Sequence, residues 1–197
     1  IIAPSSNEIV RPGRSPTDAT WVIQIFSSTD GHKWHDMMVQ NDPSIPAIQP
    51  SVLIHDGKIQ AIGRTKVGRM FSTWSEDCKS WSKIGLIDVP NCNSGTDAIS
   101  LSNDRHILVY NHSIDWYTRI PLGLALSKDG IKWYKAGILE SNDSSSYPAI
   151  ILDSNNHLHV TYTWKRLQIR HVVIDPEKLK KGKVITCNDL SSADSID

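Results

Sequence analysis

The feature that most constrains this chain is a short turn motif that occurs three times. Residues 28–34 (STDGHKW) and 127–133 (SKDGIKW) share the pattern Ser-x-Asp-Gly-x-x-Trp, and residues 75–81 (SEDCKSW) keep its Ser, Asp and Trp but have Cys78 in place of Gly. Successive motifs begin 47 and 52 residues apart. Self-similarity at such a period indicates a fold built from repeated units, such as propeller blades or solenoid turns.

Each motif has the chemistry of a β-hairpin connection. It follows a short apolar run with strand character, such as residues 21–26 or 122–126. The Asp side chain can bond to backbone two residues on, and Gly adopts a left-handed conformation at low cost. The Trp can then fold back over the turn as a large apolar plug. We therefore assign the Ser, Asp and Trp of the motifs a structural role.

A second repeat runs between the motifs. Pro50, Asp97 and Pro148 lie 16, 16 and 15 residues after the Trp of successive motifs, and each opens a short apolar run. After each run come residues with hairpin chemistry, a second strand, a variable connection, a third strand, the motif and a fourth strand. The sequence therefore predicts four-stranded antiparallel units, which is the architecture of an all-β propeller.

The repeat divides the chain into three parts. We expect an irregular segment over residues 1–20, a partial β-propeller of about three to four blades over residues 21–182, and a C-terminal tail over residues 183–197. A closed propeller needs about four to eight blades. The chain is therefore expected to complete its ring with further blades or with another chain.

Composition excludes several classes of function. The 197 residues carry 21 Lys and Arg against 21 Asp and Glu, so no basic excess indicates binding to nucleic acid or to an anionic membrane. No apolar run approaches the length of a transmembrane helix. The three Cys have no metal-ligand spacing, and we expect neither a metal nor another cofactor.

Equivalent positions of the repeat identify candidate ligand-binding residues, because the innermost strands of a propeller surround one axis. Gln49 and Tyr147 immediately precede equivalent strand starts, and Arg64, Asn111 and Tyr162 each lie 14 residues after such a start. Polar side chains at these positions would converge on a ligand. The alternative is that Tyr147 and Tyr162 pack between blades, while Arg64 and Asn111 satisfy loop carbonyl groups.

The charged residues favour an anionic ligand. Arg64 and Arg119 precede their turn motifs by 11 and 8 residues. Two guanidinium groups near one axis would clamp a carboxylate through bidentate hydrogen bonds. A nearby Tyr whose pKa is lowered by Arg could then act as a nucleophile or as a base.

Over residues 21–175 the chain resembles the sialidase (BNR/Asp-box) superfamily, whose Asp-box the turn motif resembles in its short form. The resemblance implies a six-bladed sialidase-type propeller. The most specific stretches are residues 90–97 (PNCNSGTD), 108–111 (LVYN), 119–122 (RIPL), 146–149 (SYPA), 162–166 (YTWKR) and 169–171 (IRH).

The resemblance also implies roles for individual residues. Arg64 and Arg119 match the second and third arginines of the family's carboxylate-binding triad, and Tyr147 matches its nucleophilic tyrosine. These three residues are the catalytic candidates. The candidate substrate-binding residues are Gln49, Asn93, Asp97, Asn111, Tyr162 and Arg166.

The chain departs from the family pattern at two positions. The acid that would activate the tyrosine falls near Gln49, and a neutral amide cannot act as a base. The Glu that orients the first arginine of the family falls near Thr163. The first arginine and the Asp acid/base of the family are expected upstream of this chain.

Three functions follow from these observations. The first is an exo-glycosidase that hydrolyses a terminal acidic sugar such as sialic acid. The second is a polysaccharide lyase on a uronic-acid glycan, in which the arginines neutralise the carboxylate and a Tyr or His removes the neighbouring proton. The third is a glycan-binding propeller without catalysis. The expected partner is an acidic carbohydrate in each case.

Overall fold

The computed structural model describes residues 1–15 and 18–190, and almost all of their regular structure is β-strand. Where one face of a strand is covered, alternate residues are buried, as Trp21, Ile23 and Ile25 are in β2. The fifteen strands of the described residues are β1 (Ile2–Ile9), β2 (Thr20–Ser27), β3 (His35–Gln40), β4 (Ala47–His55), β5 (Lys58–Thr65), β6 (Arg69–Ser75), β7 (Ser80–Lys83), β8 (Gly85–Pro90), β9 (Asp97–Ser100), β10 (His106–Asn111), β11 (Leu122–Ser127), β12 (Tyr134–Glu140), β13 (Ser145–Leu152), β14 (Leu158–Trp164) and β15 (Gln168–Ile174).

The strands form four sheets, which we number blades 1 to 4 in chain order. Blade 1 contains β1, β2 and β3, blade 2 contains β4, β5, β6 and β8, blade 3 contains β9 to β12, and blade 4 contains β13, β14 and β15. Neighbouring strands within these groups are antiparallel. The prediction of an all-β propeller of about three to four blades is confirmed.

The edge of blade 1 differs from the predicted antiparallel pattern. β7 begins within the last two residues of the turn motif of blade 2, but it pairs in parallel with β3 of blade 1. The fourth strand of blade 2 is β8, which pairs with β6. The chain after this motif therefore links two blades before it returns to its own sheet.

The N-terminal part of the chain is more regular than its sequence suggests. The prediction of an irregular segment over residues 1–20 is wrong for Ile2–Ile9, which pairs with β2 along its whole length. The sequence of this strand, IAPSSNEI, lacks the apolar alternation that marks a half-buried strand. Cross-strand pairing, and not its own composition, therefore fixes this strand.

The C-terminal tail expected over residues 183–197 begins as part of the folded structure. Val184 forms an antiparallel bridge with Tyr134, and Ile185 is buried in the core. Residues 191–197 of the predicted tail lie outside the described residues.

The apolar cores lie between neighbouring blades. Leu53 and Ile62 of blade 2 pack with Leu108 of blade 3, and Leu124 of blade 3 packs with Val160 of blade 4. Each interior sheet is thus covered on both faces by its neighbours. This packing brings the first strands of blades 2, 3 and 4 side by side, and it places their N-terminal ends at one entrance.

The repeated turns share one hydrogen-bond pattern. Asp129 Oδ1 accepts bonds from the backbone amides of Ile131 and Lys132 at 2.9 and 2.8 Å. Asp30 and Asp77 bond to the backbone amides of their own turns in the same way. These carboxylates close their turns, as the chemistry of the motif predicts.

Candidate active site

Two equivalent irregular positions shape the entrance between the inner strands. Gln49 in β4 and Tyr147 in β13 each precede a Pro, interrupt the register of their strand, and have positive φ angles of 55° and 52°. A non-Gly residue in this conformation costs about 1–2 kcal/mol. A bulge of this kind redirects a side chain, and such strain is concentrated at functional sites.

The two redirected side chains meet over a Gly. A Cβ atom added to Gly95 would lie 3.1 Å from Gln49 Oε1 and 3.2 Å from Tyr147 Cδ1, so a side chain there would require these two neighbours to shift by a few tenths of an ångström. Together with Thr96 these residues line a shallow cavity of about 210 Å³, which we call the mouth.

Arg64, near the end of β5, is held on three sides beside the mouth. Its guanidinium carbon lies 4.7 Å from the centroid of the Trp21 ring, Nε donates to Asn93 Oδ1 at 2.9 Å, and Nη1 donates to Gln49 Oε1 at 3.3 Å. These partners are neutral, so they orient the guanidinium without cancelling its charge. The positive charge therefore stays available to an anion.

Arg119 reaches the mouth from the loop between β10 and β11. Its guanidinium carbon lies 5.3 Å from the centroid of the Tyr147 ring, and its buried Nη1 has no hydrogen-bond partner among the described residues. The loop is held by Asn111, whose Nδ2 donates to Arg119 O at 2.9 Å and to Ser145 O at 3.0 Å. Arg119 therefore places a second cation at the mouth.

The two arginines change the acidity of Tyr147, which is 51% exposed. Partial burial by itself raises the pKa of the Tyr147 hydroxyl. Its interaction with Arg119 and the positive charges of Arg64 and Arg119 outweigh burial, so the pKa lies below its ordinary value. Because the phenolate is the better nucleophile and base, this geometry can support either role.

Asn111 and Tyr162 do not face the mouth, although the repeat predicts that they do. Asn111 is fully buried and bonds to loop carbonyl groups. Tyr162 is 2% exposed, and its hydroxyl donates to Glu140 Oε1 at 2.9 Å. Neither side chain lines the mouth, so their role as substrate-binding residues remains a prediction beside the alternative of packing and loop support.

Asp97 lines the mouth, but both of its carboxylate oxygens are used by the fold. Oδ1 accepts from Ser51 Oγ at 2.8 Å, and Oδ2 accepts from the Ile150 amide at 2.9 Å. These bonds join β4, β9 and β13. Arg166 is exposed in the turn between β14 and β15, and its role remains a prediction.

Sequence reasoning missed two residues that adjoin the arginines. Trp21 lies under the Arg64 guanidinium, and its Nε1 donates to Glu8 Oε2 at 3.1 Å. Glu8 belongs to β1, whose sequence does not have the pattern of a strand, so no sequence signal linked Glu8 to Trp21.

Cys92 is also buried near the arginines. Burial raises the pKa of its thiol to about 11 despite the opposing charges of both arginines, so the thiol is a poor nucleophile.

Residues 1–15 and 18–190 contain neither a metal-ligating cluster nor a membrane-spanning helix. No three His, Cys, Asp or Glu side chains in these ranges are grouped to hold a metal ion. Within the same ranges, no helix has the length and apolar character needed to cross a bilayer.

Comparison with protein families identifies the repeat. The family model described as a BNR repeat-like domain matches residues 1–160. Comparison with curated protein sequences finds no match.

Comparison with solved structures identifies the fold. The chain is similar to a K499G mutant of NanB sialidase from Streptococcus pneumoniae, with a TM-score of 0.63 and 20% identity over 80% of this chain and 28% of that chain. It is also similar to the intramolecular trans-sialidase from Ruminococcus gnavus, with a TM-score of 0.61 and 14% identity over 86% of this chain and 39% of that chain. It is similar as well to Trypanosoma rangeli sialidase, with a TM-score of 0.59 and 15% identity over 77% of this chain and 26% of that chain. The chain thus has a sialidase-like propeller fold and spans well under half of these solved chains.

Proposed function

The chain belongs to the BNR repeat-like domain family, and from that premise we propose that it is a sialidase-like, glycan-active protein. In this proposal it is an exo-glycosidase that hydrolyses a terminal acidic sugar of the sialic acid type. The observation that carries the proposal is the convergence of Arg64 and Arg119 on Tyr147 at the mouth.

The two arginines suit a sugar that has a carboxylate on its anomeric carbon. Guanidinium groups bind a carboxylate through paired, charge-assisted hydrogen bonds. An anionic Asp or Glu nucleophile would be repelled by that carboxylate as it approached the same carbon. A Tyr is neutral at rest, which fits its use as the nucleophile of sialidases.

In the proposed reaction Tyr147 Oη forms a bond to the anomeric carbon while the bond to the leaving oxygen breaks. Water then attacks the same carbon, releases the sugar and returns the hydroxyl to Tyr147. Gln49 cannot take the Tyr147 proton, because an amide oxygen is a very weak base. In this proposal the proton passes to solvent, which the lowered pKa of Tyr147 favours, and Tyr147 regains a proton from solvent when it is released.

The proposed reaction also needs an acid to protonate the leaving oxygen. We propose that further blades or another chain supply it. The outer face of blade 4 offers a place for them, because Ile151, Ile169 and Val173 are exposed there at 63, 79 and 53%.

One observation favours a second candidate function. Gln49 occupies the position next to Tyr147 where the proposed hydrolase would need a carboxylate base. A lyase acting on a uronic-acid glycan needs the arginines to neutralise the carboxylate and Tyr147 to remove the adjacent proton. It does not need a carboxylate at Gln49.

Two assays run on the whole chain test these functions. A fluorogenic sialic acid glycoside reports hydrolysis, and the ultraviolet absorbance of an unsaturated uronate reports a lyase. We expect hydrolysis, with kcat/KM rising with pH along a limb whose pKa lies below the value of about 10 for free Tyr. Tyr147→Phe should lower kcat by about 10³-fold or more.

The control is Tyr117→Phe, which removes the same hydroxyl from a residue that is 97% exposed. It should leave kcat unchanged. A signal in the uronate assay alone would replace the hydrolase proposal with the lyase. Binding of an acidic glycan without turnover in either assay would leave a non-catalytic propeller.

A further inference from the structure

The outer edge of blade 3 carries an unusual concentration of positive charge. Residues 128–135 and 178–183 contain seven of the chain's 21 Lys and Arg but only one acidic residue, Asp129. The chain as a whole is neutral, so this charge is segregated to one place. We call these two segments the basic rim.

The fold brings the two segments of the basic rim together. The Gly182 amide donates to Lys135 O at 2.8 Å, and the Lys135 amide donates to Lys183 O at 2.9 Å, so the second segment runs along β12. A Cβ atom on Gly182 would lie 2.8 Å from Lys135 O, which explains why Gly occupies this close approach. The concentration of Lys therefore follows from backbone pairing.

A groove of about 260 Å³ opens within the basic rim. Its lining includes Arg105, Lys128, Lys132 and Lys181 around the ring of Tyr134. The ammonium groups of Lys181 and Lys132 lie 3.5 and 5.8 Å from the centroid of that ring. These cation–π contacts hold like charges near one another despite their repulsion.

The acidic groups close to the groove are already engaged. Asp129 Oδ1 accepts the backbone amides of its own turn, and Glu177 forms a salt bridge with Arg105. The interaction of Lys181 with the Tyr134 hydroxyl, followed by the charges of Lys132 and Lys181, lowers the pKa of Tyr134. That direction is the one expected where the local potential is positive.

We propose that the groove of the basic rim is an accessory binding site for an acidic polysaccharide that bears carboxylates or sulfates. It lies on the outermost strand of blade 3, whereas the mouth lies at the innermost strands. A polymer bound there would be retained while the mouth acts on a chain end. Positive charge of this kind also speeds the encounter with an anionic polymer.

The chemistry of the rim favours a glycan over a nucleic acid. Single-stranded nucleic acids need an aromatic face on which bases stack, and Lys181 covers the Tyr134 face in this groove. The rim offers Lys point charges, while the Arg105 guanidinium, which lines the groove from outside the rim, is paired with Glu177. Point charges suit the separated anionic groups of a polysaccharide.

The test compares two double substitutions that change the net charge equally. Lys128→Gln with Lys132→Gln alters the groove, whereas Lys33→Gln with Lys79→Gln alters the equivalent turns of blades 1 and 2. All four residues are exposed, so both variants should fold. Binding is measured by calorimetry at low salt with polygalacturonate, heparin, neutral dextran and a deoxythymidine oligonucleotide, and unfolding curves confirm that each variant is folded.

We expect polygalacturonate or heparin to bind the unaltered chain and dextran not to bind. The groove variant should lose about tenfold in affinity, and the control variant less than twofold, since two exposed ion pairs are removed from one place. The difference should shrink at high salt, where charges are screened. The proposal would be overturned if both variants lost affinity equally, or if neither polygalacturonate nor heparin bound. It would also be overturned if the oligonucleotide bound more tightly than the polyanions. Because the assay needs no turnover, its result is independent of the proposed hydrolase.

Discussion

His106 is buried in its neutral form between blades 2 and 3. One ring nitrogen, Nδ1, is hydrogen-bonded to Ser100 Oγ at 2.8 Å, while buried Nε2 has no hydrogen-bond partner among the described residues. The ring packs against His55 with 4.3 Å between centroids. Burial, and then the neighbouring His55, lower the pKa of His106 to about 4.

This environment predicts a loss of stability at acidic pH. In the unfolded chain His106 binds a proton below about pH 6.5, whereas in the folded chain it stays neutral down to about pH 4. Its contribution is therefore complete above the unfolded pKa and declines as the pH falls toward the folded one. We expect a decrease in the free energy of unfolding on the order of 2 kcal/mol, measured by urea unfolding across this range.

A matched pair of substitutions isolates the contribution of His106. His106→Gln should reduce the dependence of stability on pH between about 6.5 and 4, because one titrating group is removed while His55, whose pKa burial also lowers, remains. His32→Gln, at an exposed position of the first turn, should retain the dependence of the unaltered chain. Identical slopes in all three proteins would contradict the assignment.

Single side chains also show where prediction from the repeat stops. Arg64, Asn111 and Tyr162 occupy equivalent positions of the repeat, so their backbones lie at equivalent points of successive blades. Arg64 is long enough to reach the mouth, Asn111 ends among loop carbonyl groups, and Tyr162 points to Glu140. Repeat spacing fixes backbone position, but side-chain length and the neighbouring blade decide what each group contacts.

At the scale of elements, the spacing of the turns was sufficient to predict the order of strands in blades 2 and 3. The motif supplies its own hydrogen bonds, so it is visible in the sequence without knowledge of the rest. Strands β1 and β7 were not predictable in this way. The first has a polar sequence, and the second pairs in parallel with a different blade. Both depend on contacts between distant parts of the chain.

The turns differ in how strongly they need Gly. Gly130 has φ of 66°, and a Cβ atom there would lie 1.8 Å from Gln60 Oε1. Gly31 has φ of 77°, but its nearest neighbour would be the Ile1 side chain at 3.6 Å. We expect Gly130→Ala to lower the free energy of unfolding by about 2–4 kcal/mol, and Gly31→Ala by only about 1 kcal/mol. Urea unfolding at neutral pH measures both.

The turn of blade 2 provides the opposite substitution as a control. Cys78 occupies the Gly position with φ of 55°. Cys78→Gly should therefore stabilise the chain by up to about 1 kcal/mol, because it relieves a left-handed conformation. Equal costs for the two Gly→Ala variants would show that backbone conformation alone, and not the contact with Gln60, governs these turns.

At the scale of the whole molecule, stability and site geometry depend on the same contacts between blades. The apolar clusters lie between sheets, so no blade completes its core alone. The residues at the mouth come from different blades, with Arg64 from blade 2, Arg119 from blade 3 and Tyr147 from blade 4. Equivalent positions of the repeat indicated Arg64 and Tyr147, whereas Arg119 was indicated by its place before a turn motif. The sequence could not predict that Asp97 is used to join the blades.

Asp97 gives the most direct test of that coupling. Its two carboxylate oxygens accept hydrogen bonds from Ser51 of blade 2, from the Ala98 backbone amide and from the Ile150 backbone amide of blade 4. An Asn side chain has only one acceptor oxygen, so it cannot accept from all of these donors. Asp97→Asn should lower the free energy of unfolding by about 1–3 kcal/mol, because one buried donor is left unpaired. It should also speed hydrogen exchange at the Ile150 amide, measured by mass spectrometry or NMR.

The matched control is Asp153→Asn, since Asp153 Oδ1 accepts the amides of Asn155 and His157 within a single turn of blade 4. This substitution should disturb exchange in that turn and leave Ile150 protected. If Asp97→Asn also acted only on its own strand, the blades would be joined by apolar packing alone. The positions of Tyr147 and the two arginines would then not depend on Asp97. If exchange at Ile150 increases only in Asp97→Asn, a carboxylate expected to bind substrate instead maintains the geometry of the mouth.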